Sequence, residues 1–282
     1  MSPLNPYHAR RSHELGLLLL SCGLGAVVVW WTFKLMRLPT KLSPDDAYLS
    51  YFDVRLMKED VDTLKDDWLT DNSIAFWEEY LERETLTQYP HSHIILLRPS
   101  MSFMLMQTPD PSTLKDALPD FTHTTHIFLP INDCADVKLA EGGSHWSLLL
   151  VSLLDGVAFH YDSMRPSNQR EAALAAHKLS DLLGKEVRFV DLEDAPQQEN
   201  SSDCGVFVCV VMRHLLVKRL LRTGTAGKAE MGLGGRMVDA AAGRKEMLRI
   251  IEGFRREGER RRSRSASPYG SKHGSKSPPR ID

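Results

Sequence analysis

The stretch that decides the fold is GGSHWSLLLVSLLDGVAFHYD, residues 142–162. Two apolar runs, residues 145–153 and 157–161, flank the dipeptide Asp155-Gly156. Asp-Gly between two such runs is a strong short-range signal for a tight turn that joins antiparallel strands. The segment therefore predicts a β-hairpin made almost entirely of residues suited to a core.

The two ends of this hairpin carry polar residues that can act together. His145 opens the first strand and Asp162 closes the second. Antiparallel pairing brings these ends close, so the carboxylate can hold one imidazole nitrogen while the other faces a nucleophile. Singly, such residues are typically surface or turn residues. Their matching positions favour a functional interpretation, which none of the other ten histidines shares.

A nucleophile for this pair lies in SSDCGVFVCVV, residues 201–211. Cys204 directly precedes the apolar run 205–221, which predicts a long helix whose dipole favours the thiolate at its N-terminus. Gly205 permits close backbone approach. Cys209 falls inside the apolar face and is interpreted as a small buried hydrophobic residue. We therefore predict Cys204 as nucleophile and His145 as its base.

Residues 44–222 as a whole alternate short strands with amphipathic helices, which predicts one α+β domain of ordinary size. A helix is expected to begin near Asp71, with Asp71 or Asn72 as its cap. A turn or helix is expected from Pro99, and a helix over residues 171–183 that Gly184 ends. The remaining predicted strands are residues 93–97, 126–131 and 187–192.

The N-terminal part of the chain consists of a polar segment, residues 1–14, and an uncharged run, residues 15–33. At about 1.5 Å per residue, a helix of this length nearly matches a hydrocarbon core of about 30 Å. Trp30 and Trp31 suit a membrane interface. We expect residues 15–33 to be a membrane anchor; the alternatives are a signal peptide, disfavoured by the lack of a cleavage site, and an erroneous extension of the reading frame.

The C-terminal part changes character after Arg222. Residues 223–236 are interpreted as a glycine-rich linker and residues 237–254 as a helix. Residues 255–282 are rich in arginine and serine and poor in apolar residues, which predicts a disordered basic tail. Such a tail could contact RNA or anionic lipid weakly, or act only as a localisation or solubilising segment.

The composition is that of an ordinary globular protein, with 42% hydrophobic and 26% charged residues and a formal net charge of −2. The four cysteines are too few for a disulfide scaffold, and no Cys/His spacing suits zinc. We therefore expect reduced thiols in the cytoplasm or nucleus, with any membrane-anchored form facing the cytosol, and we expect no metal or cofactor.

Three segments resemble the ubiquitin-like-protein-specific cysteine proteases, the Ulp or sentrin-protease superfamily. They are GGSHWSLLLV, FHYDSMRPSN and APQQENSSDCGVFV, and WLTDNSIAFWEEYL and FLPIND extend the resemblance over residues 49–221. The order His, Asp, Gln, Cys is that of the family, and the wording is most similar to its small deneddylase branch. The resemblance implies a papain-like core of the Ulp type, with a mixed sheet flanked by helices.

The resemblance also implies roles for individual residues. His145, Asp162 and Cys204 would form the catalytic triad. Gln198 would supply the oxyanion hole, with its neighbour Gln197 as the competing assignment. The substrate would be contacted by Trp146, which covers the tunnel for the glycine tail, and by Trp68 and Asp71. Ser202 and Glu199 depart from the residues usual in the family, and neither belongs to the triad.

The implied activity is that of a thiol protease or isopeptidase that cuts after the C-terminal Gly-Gly of a ubiquitin-like modifier. The resemblance favours the modifier of cullins, as precursor or conjugate, over SUMO. The alternatives are a SUMO-specific protease and a catalytically inactive module that only binds a modifier. The complete set of His145, Asp162, Gln198 and Cys204 favours the enzyme.

Overall fold

The computed structural model describes residues 42–139, 142–223 and 230–265. The chain divides into two compact units, residues 1–41 and 42–282, and every described residue belongs to the second. The expected membrane anchor, residues 15–33, lies outside the described residues. Within the described part of the chain, none of the helices is both long and apolar enough to cross a membrane.

The centre of the fold is a five-stranded mixed sheet. Its strands are β3 Ile94–Leu96, β4 His126–Asn132, β5 Trp146–Ser152, β6 Val157–Tyr161 and β7 Arg188–Asp191, and they lie side by side in that order. The central pairs β4–β5 and β5–β6 are antiparallel, and the outer pairs β3–β4 and β6–β7 are parallel. The predicted hairpin is confirmed, since β5 and β6 pair with Leu148 opposite Tyr161, and Gly156 in the turn between them has a φ of 64°.

Helices cover both faces of this sheet, and a separate antiparallel pair, β1 Ala47–Tyr51 and β2 Val54–Met57, precedes it. This confirms the α+β class. The helices are α1 Lys58–Thr63, α2 Asp71–Glu84, α3 Pro99–Gln107, α4 Gln169–Leu183, α5 Cys204–His214, α6 Leu221–Thr223 and α7 Ala240–Ser265. A π-helical segment, Leu215–Leu220, joins α5 to α6.

Alternate residues of the central strands enter two separate cores. Phe128, Leu148 and Leu150 pack with residues of α2, α5 and α7 on one face. Leu129 and Leu149 pack with residues of α3 and α4 on the other. Because successive side chains of a strand point to opposite faces, a strand covered on both sides must be apolar throughout, as the hairpin sequence is.

The start of α2 differs from the prediction. Its cap is Thr70, whose hydroxyl accepts a hydrogen bond from the Ser73 N–H at 3.2 Å, rather than Asp71 or Asn72. The same hydroxyl donates to Asp60 Oδ1 at 2.6 Å. This link to α1 fixes Thr70 in the cap position, and the sequence pattern did not indicate it.

Two predictions about the C-terminal part are wrong for the residues described. Residues 230–236 do not form an open linker, since Met231 and Leu233 are buried in the core. Residues 255–265 are not disordered, because α7 begins at Ala240 and continues to Ser265. Ion pairs one helical turn apart, Arg255 with Glu259 and Arg261 with Glu257, support this extension. The remaining residues of the predicted tail, 266–282, lie outside the described residues.

Helix α7 also belongs to the folded domain rather than lying beyond it. Its residues Met247 and Ile251 are fully buried in the core that also contains α2 and α5. Phe254 packs on Tyr51 with ring centroids 4.5 Å apart, and the Arg255 guanidinium lies 4.1 Å from the centre of the Tyr48 ring. The domain therefore extends past the predicted boundary at residue 222.

Candidate active site

The predicted nucleophile, Cys204, is the first residue of α5 and is almost completely buried. The apolar run behind it forms the helix because Val206, Val208 and Met212 all enter the core. Gly205 allows the neighbouring segment to approach, since a Cβ there would lie 2.8 Å from the Cβ of Leu69. The thiol thus stands at the positive end of a helix dipole.

The predicted base and its orienting carboxylate meet as the hairpin implied. His145 precedes β5 and Asp162 follows β6, and the distance from His145 Nε2 to Asp162 Oδ1 is 2.6 Å. Both side chains are buried. The other ring nitrogen, Nδ1, is buried with no hydrogen-bond partner among the described residues. One nitrogen is therefore held by the carboxylate and the other is free to serve the nucleophile.

The Asp162 carboxylate is itself fixed by backbone groups. The Met164 N–H donates to Oδ1 at 2.9 Å and the Asn168 N–H donates to Oδ2 at 3.0 Å. Burial disfavours the charge, but the hydrogen bonds from His145 and from these two N–H groups outweigh it, so the pKa of Asp162 lies below its usual value. Asp162 is therefore charged at neutral pH.

The protonation of His145 follows from its neighbours. Burial lowers the pKa of the imidazole, but the hydrogen bond to Asp162 and the approach of the Cys204 thiol outweigh burial and raise it from 6.5 to about 9. The thiol lies near the ring without reaching hydrogen-bond geometry with Nδ1. His145 is thus an imidazolium at neutral pH, the form that stabilises an adjacent thiolate.

Two residues that the sequence did not single out hold the start of β5 in place. Asp133 accepts hydrogen bonds from the N–H groups of Ser144 and His145. The Asn168 amide donates to the carbonyl of His145 at 3.2 Å and to that of Ile131 at 3.1 Å. Asp133 follows the predicted strand 126–131, where an Asx turn is common. No local pattern indicated Asn168, because its partners lie in distant parts of the chain.

A cavity of about 540 Å³ opens beside the thiol. It brings together five of the residues predicted for the site, namely Trp68, Asp71, His145, Trp146 and Cys204. The Trp146 indole N–H donates to the carbonyl of Leu69 at 3.1 Å and so ties β5 to the segment before α2. The segment after β4 also lines the cavity, with Val137, Leu139 and residues 142–144 among the lining residues.

The two adjacent glutamines are placed differently. Both N–H groups of the Gln197 amide are engaged, because Nε2 donates to the carbonyls of Asp162 at 2.8 Å and Ala195 at 3.0 Å. Gln198 accepts from the Ser163 hydroxyl and donates from Nε2 only to the Asn200 carbonyl, among the described residues. Gln198 therefore keeps one N–H for another acceptor, although it does not line the cavity.

A thiol at a helix N-terminus, beside a buried imidazolium held by a carboxylate, is the arrangement of a cysteine peptidase. Residues 67–223 match the model of the Ulp1 protease family, C-terminal catalytic domain. This match covers more than half of the chain, and the chain belongs to that family. Helix α7 lies outside the matched residues.

Curated relatives agree with this assignment. The chain is 40% identical over 209 residues to NEDD8-specific protease 2 of Schizosaccharomyces pombe. The aligned residues cover 72% of this chain and 50% of that protein. It is 36% identical over 170 residues to sentrin-specific protease 8 of Mus musculus, covering 58% of this chain and 75% of that protein. The chain therefore spans about half the length of the fission-yeast relatives that it matches.

The catalytic domain of a Ulp1-like SUMO protease from Chaetomium thermophilum has a similar structure, with a TM-score of 0.50 and 19% sequence identity. The likeness covers 74% of this chain and 82% of that one. At this identity it concerns the fold alone.

Proposed function

We propose that this chain is a thiol protease that cleaves after the C-terminal Gly-Gly of a ubiquitin-like modifier, and that the modifier is NEDD8. The observation that carries the proposal is the buried His145–Asp162 pair, with one free ring nitrogen, beside Cys204 at a cavity lined by Trp68 and Trp146. The substrates are the NEDD8 precursor and NEDD8 joined to lysine in conjugates such as modified cullins.

In the first half of the reaction the Cys204 thiolate attacks the carbonyl carbon of the terminal glycine. The carbonyl oxygen becomes an oxyanion, which accepts hydrogen bonds from the backbone N–H of Cys204 and the free N–H of Gln198. The imidazolium of His145 gives its Nδ1 proton to the leaving amine as the C–N bond breaks. Asp162 keeps the ring in the orientation that this transfer requires.

The product of that half is a thioester between Cys204 and the modifier. Neutral His145 then takes a proton from a water molecule, and the resulting hydroxide attacks the thioester carbonyl. The C–S bond breaks, the modifier leaves as a carboxylic acid that loses its proton to solvent, and the thiolate–imidazolium pair is restored. Cys204 carries the acyl group, and His145 carries the protons to the leaving amine and from the water.

The cavity gives a physical reason for a diglycine specificity. Trp146 is joined to Leu69 by a hydrogen bond, and Leu69 is the residue that presses against Gly205. A tail that reaches Cys204 along the cavity would pass Trp146, which lines it together with the thiol. Glycine residues would suit that path, because they carry no side chain that could contact the indole.

The names of the relatives support NEDD8 as the modifier, because the Schizosaccharomyces pombe proteins that this chain resembles are called NEDD8-specific proteases. SUMO is the second candidate. A catalytically inactive module that only binds the modifier is the third, and the free Nδ1 of a charged His145 argues against it, since binding alone does not need that group.

A substrate panel tests the proposal. Purified protein is incubated with NEDD8, SUMO and ubiquitin, each fused through Gly-Gly to a fluorogenic amine, and with a NEDD8-modified cullin. We expect kcat/KM to be highest for NEDD8 and free cullin to appear. Preferential cleavage of the SUMO fusion would support the second candidate, and binding of NEDD8 without turnover would support the third.

The pH dependence of this activity follows from the pKa of His145. That pKa is raised to about 9, so the imidazolium beside Cys204 predominates at neutral pH and is lost as the pH rises through about 9. We expect kcat/KM for the NEDD8 fusion to fall with a midpoint near pH 9. In Asp162→Asn the main group that raises the pKa of His145 is gone, so kcat/KM should begin to fall at a lower pH. An unchanged pH at which kcat/KM falls would contradict the assignment.

The two glutamines give a second prediction. Gln198→Ala should lower kcat about 10²- to 10³-fold with little change in KM, since loss of one oxyanion donor acts on the transition state. Gln197→Ala is the matched control and should cost much less, because its amide is engaged with backbone carbonyls. Steady-state kinetics on the NEDD8 fusion decide between them, and a larger loss at Gln197 would transfer the role there.

The two terminal regions are proposed to set location. Residues 15–33 would anchor the chain in a membrane with the protease domain in the cytosol, which carbonate extraction of full-length protein tests. The basic segment that begins at Arg255 would bind RNA or anionic lipid weakly, and deletion from Glu257 onward should lower retention on RNA or anionic vesicles. Neither proposal affects the chemistry at Cys204.

A further inference from the structure

A side chain from α7 reaches the segment that carries the nucleophile. Arg244 is 5% exposed. Its Nε donates to Asp203 Oδ1 at 2.8 Å, and its Nη2 donates to the Ser202 carbonyl at 2.8 Å. Asp203 and Ser202 are the two residues directly before Cys204. The guanidinium therefore holds both a side chain and a main-chain group of the turn that begins α5.

The third contact of Arg244 joins this turn to the wall of the cavity. Nη1 donates to the carbonyl of Thr63 at 2.9 Å, at the end of α1. Thr63 itself lines the cavity, as does Trp68 in the segment that follows. The buried guanidinium of Arg244 thus connects the turn before Cys204 (the nucleophile turn, residues 202–203) with Thr63 in the lining of the cavity, which is far away in the sequence.

The depth at which Arg244 enters is set by its neighbour in α7. A Cβ at Gly243 would lie 2.9 Å from Val206 and 3.0 Å from Val210, so only glycine lets α7 approach α5 this closely. Asp203 is held from a second side as well, because the Asn200 amide donates to its Oδ2 at 2.8 Å. Both oxygens of Asp203 are therefore engaged, and neither bonds a backbone N–H of α5 as a helix cap.

We propose that Arg244 is a positioning residue for Cys204: through Asp203 and Ser202 it fixes the turn from which the thiol projects at the start of α5. The role rests on the proposed function, and it extends the catalytic unit to α7, beyond residues 67–223 that match the family. The planar guanidinium of arginine holds its N–H donors in a fixed fork, so it can bind Asp203 and the Ser202 carbonyl at once. A lysine ammonium has no such fixed arrangement of donors.

The expected consequence of losing Arg244 is a displaced thiol rather than a weakened substrate complex. A misplacement of about 1 Å can cost about 10²-fold in rate. Arg244→Met should therefore lower kcat on the NEDD8 fusion about 10- to 100-fold, with a much smaller change in KM. Arg244→Lys, which keeps the charge without the fork, should recover part of the loss.

The experiment compares these two variants with wild type and with Glu246→Gln. The control removes another contact between α7 and α5, the ion pair of Glu246 with Arg213 at 2.6 Å, which does not involve the nucleophile turn. For each protein we measure the melting temperature and the rate at which iodoacetamide alkylates Cys204. We also measure kcat and KM at a temperature where every variant is folded. Slower alkylation and lower kcat in the Arg244 variants, with Glu246→Gln at the wild-type values, are expected.

A wild-type kcat and alkylation rate in folded Arg244→Met would overturn the proposal. If that variant does not fold, Arg244→Lys decides, and wild-type values there would overturn it equally. The alkylation rate needs no modifier substrate. The two proposals can therefore fail separately. If the wild-type protein cleaves no modifier but alkylation is slower in the Arg244 variants, the proposed function is wrong and the positioning role still holds.

Discussion

Replacing Cys204 by alanine should abolish cleavage of the NEDD8 fusion, with a loss on the order of 10⁶-fold, the loss seen when another peptidase loses its nucleophile. No described side chain other than Cys204 places a thiol at the start of α5 beside the free Nδ1 of His145. The folded domain and its binding of NEDD8 should remain, because a buried thiol becomes a methyl group of smaller volume. Turnover, melting temperature and NEDD8 affinity measured together check this.

The matched control for this change is Cys209→Ala. Cys209 lies five residues further along α5, is fully buried, and its carbonyl accepts a hydrogen bond from the Trp77 indole in the core. Burial raises the pKa of its thiol well above the ordinary value, so it stays protonated and unreactive. We expect lower stability and wild-type turnover. Substantial turnover in Cys204→Ala would remove that residue from the role of nucleophile.

Replacing His145 by alanine should be nearly as damaging as loss of the thiol. Without the imidazolium the thiolate has no counterion, and no group remains to protonate the leaving amine. Because members of one catalytic unit are not additive, the double variant of His145 and Cys204 should be no slower than Cys204→Ala alone. Turnover of the two single variants and the double variant checks this.

His177→Ala is a suitable control for the histidine. His177 also lies beside a carboxylate, Asp181 at 3.1 Å, but the pair is on the exposed face of α4. Removing it should leave turnover unchanged. A His145→Ala protein that keeps a tenth or more of the wild-type kcat would contradict the assignment of His145 as the base.

The part of the site that sequence reasoning found is the part encoded by local pattern. The Asp155-Gly156 turn and the apolar runs around it specify a hairpin, and a hairpin brings its own ends together, so His145 and Asp162 could be paired without knowledge of the rest. Cys204 was found because a polar turn followed by a long apolar run marks the start of a buried helix.

The part that it missed depends on contacts between distant segments. Arg244 is one arginine in a basic stretch, and nothing near it in sequence shows that Gly243 brings it within reach of Asp203. The low apolar content after residue 254 predicted disorder, whereas ion pairs along α7 and the packing of its first half extend the helix to Ser265. Tertiary packing overrides local composition in both cases.

The most direct test of the central claim is to label covalently the residue that forms the thioester with the modifier. NEDD8 carrying an electrophile in place of its terminal carboxylate is mixed with the wild-type protein, and the adduct is digested and mapped by mass spectrometry, with SUMO and ubiquitin probes run beside it. The account predicts one adduct, on Cys204, formed fastest with the NEDD8 probe and absent in Cys204→Ala. Labelling of Cys134 or Cys209 instead, or no adduct with any of the three modifiers, would contradict it.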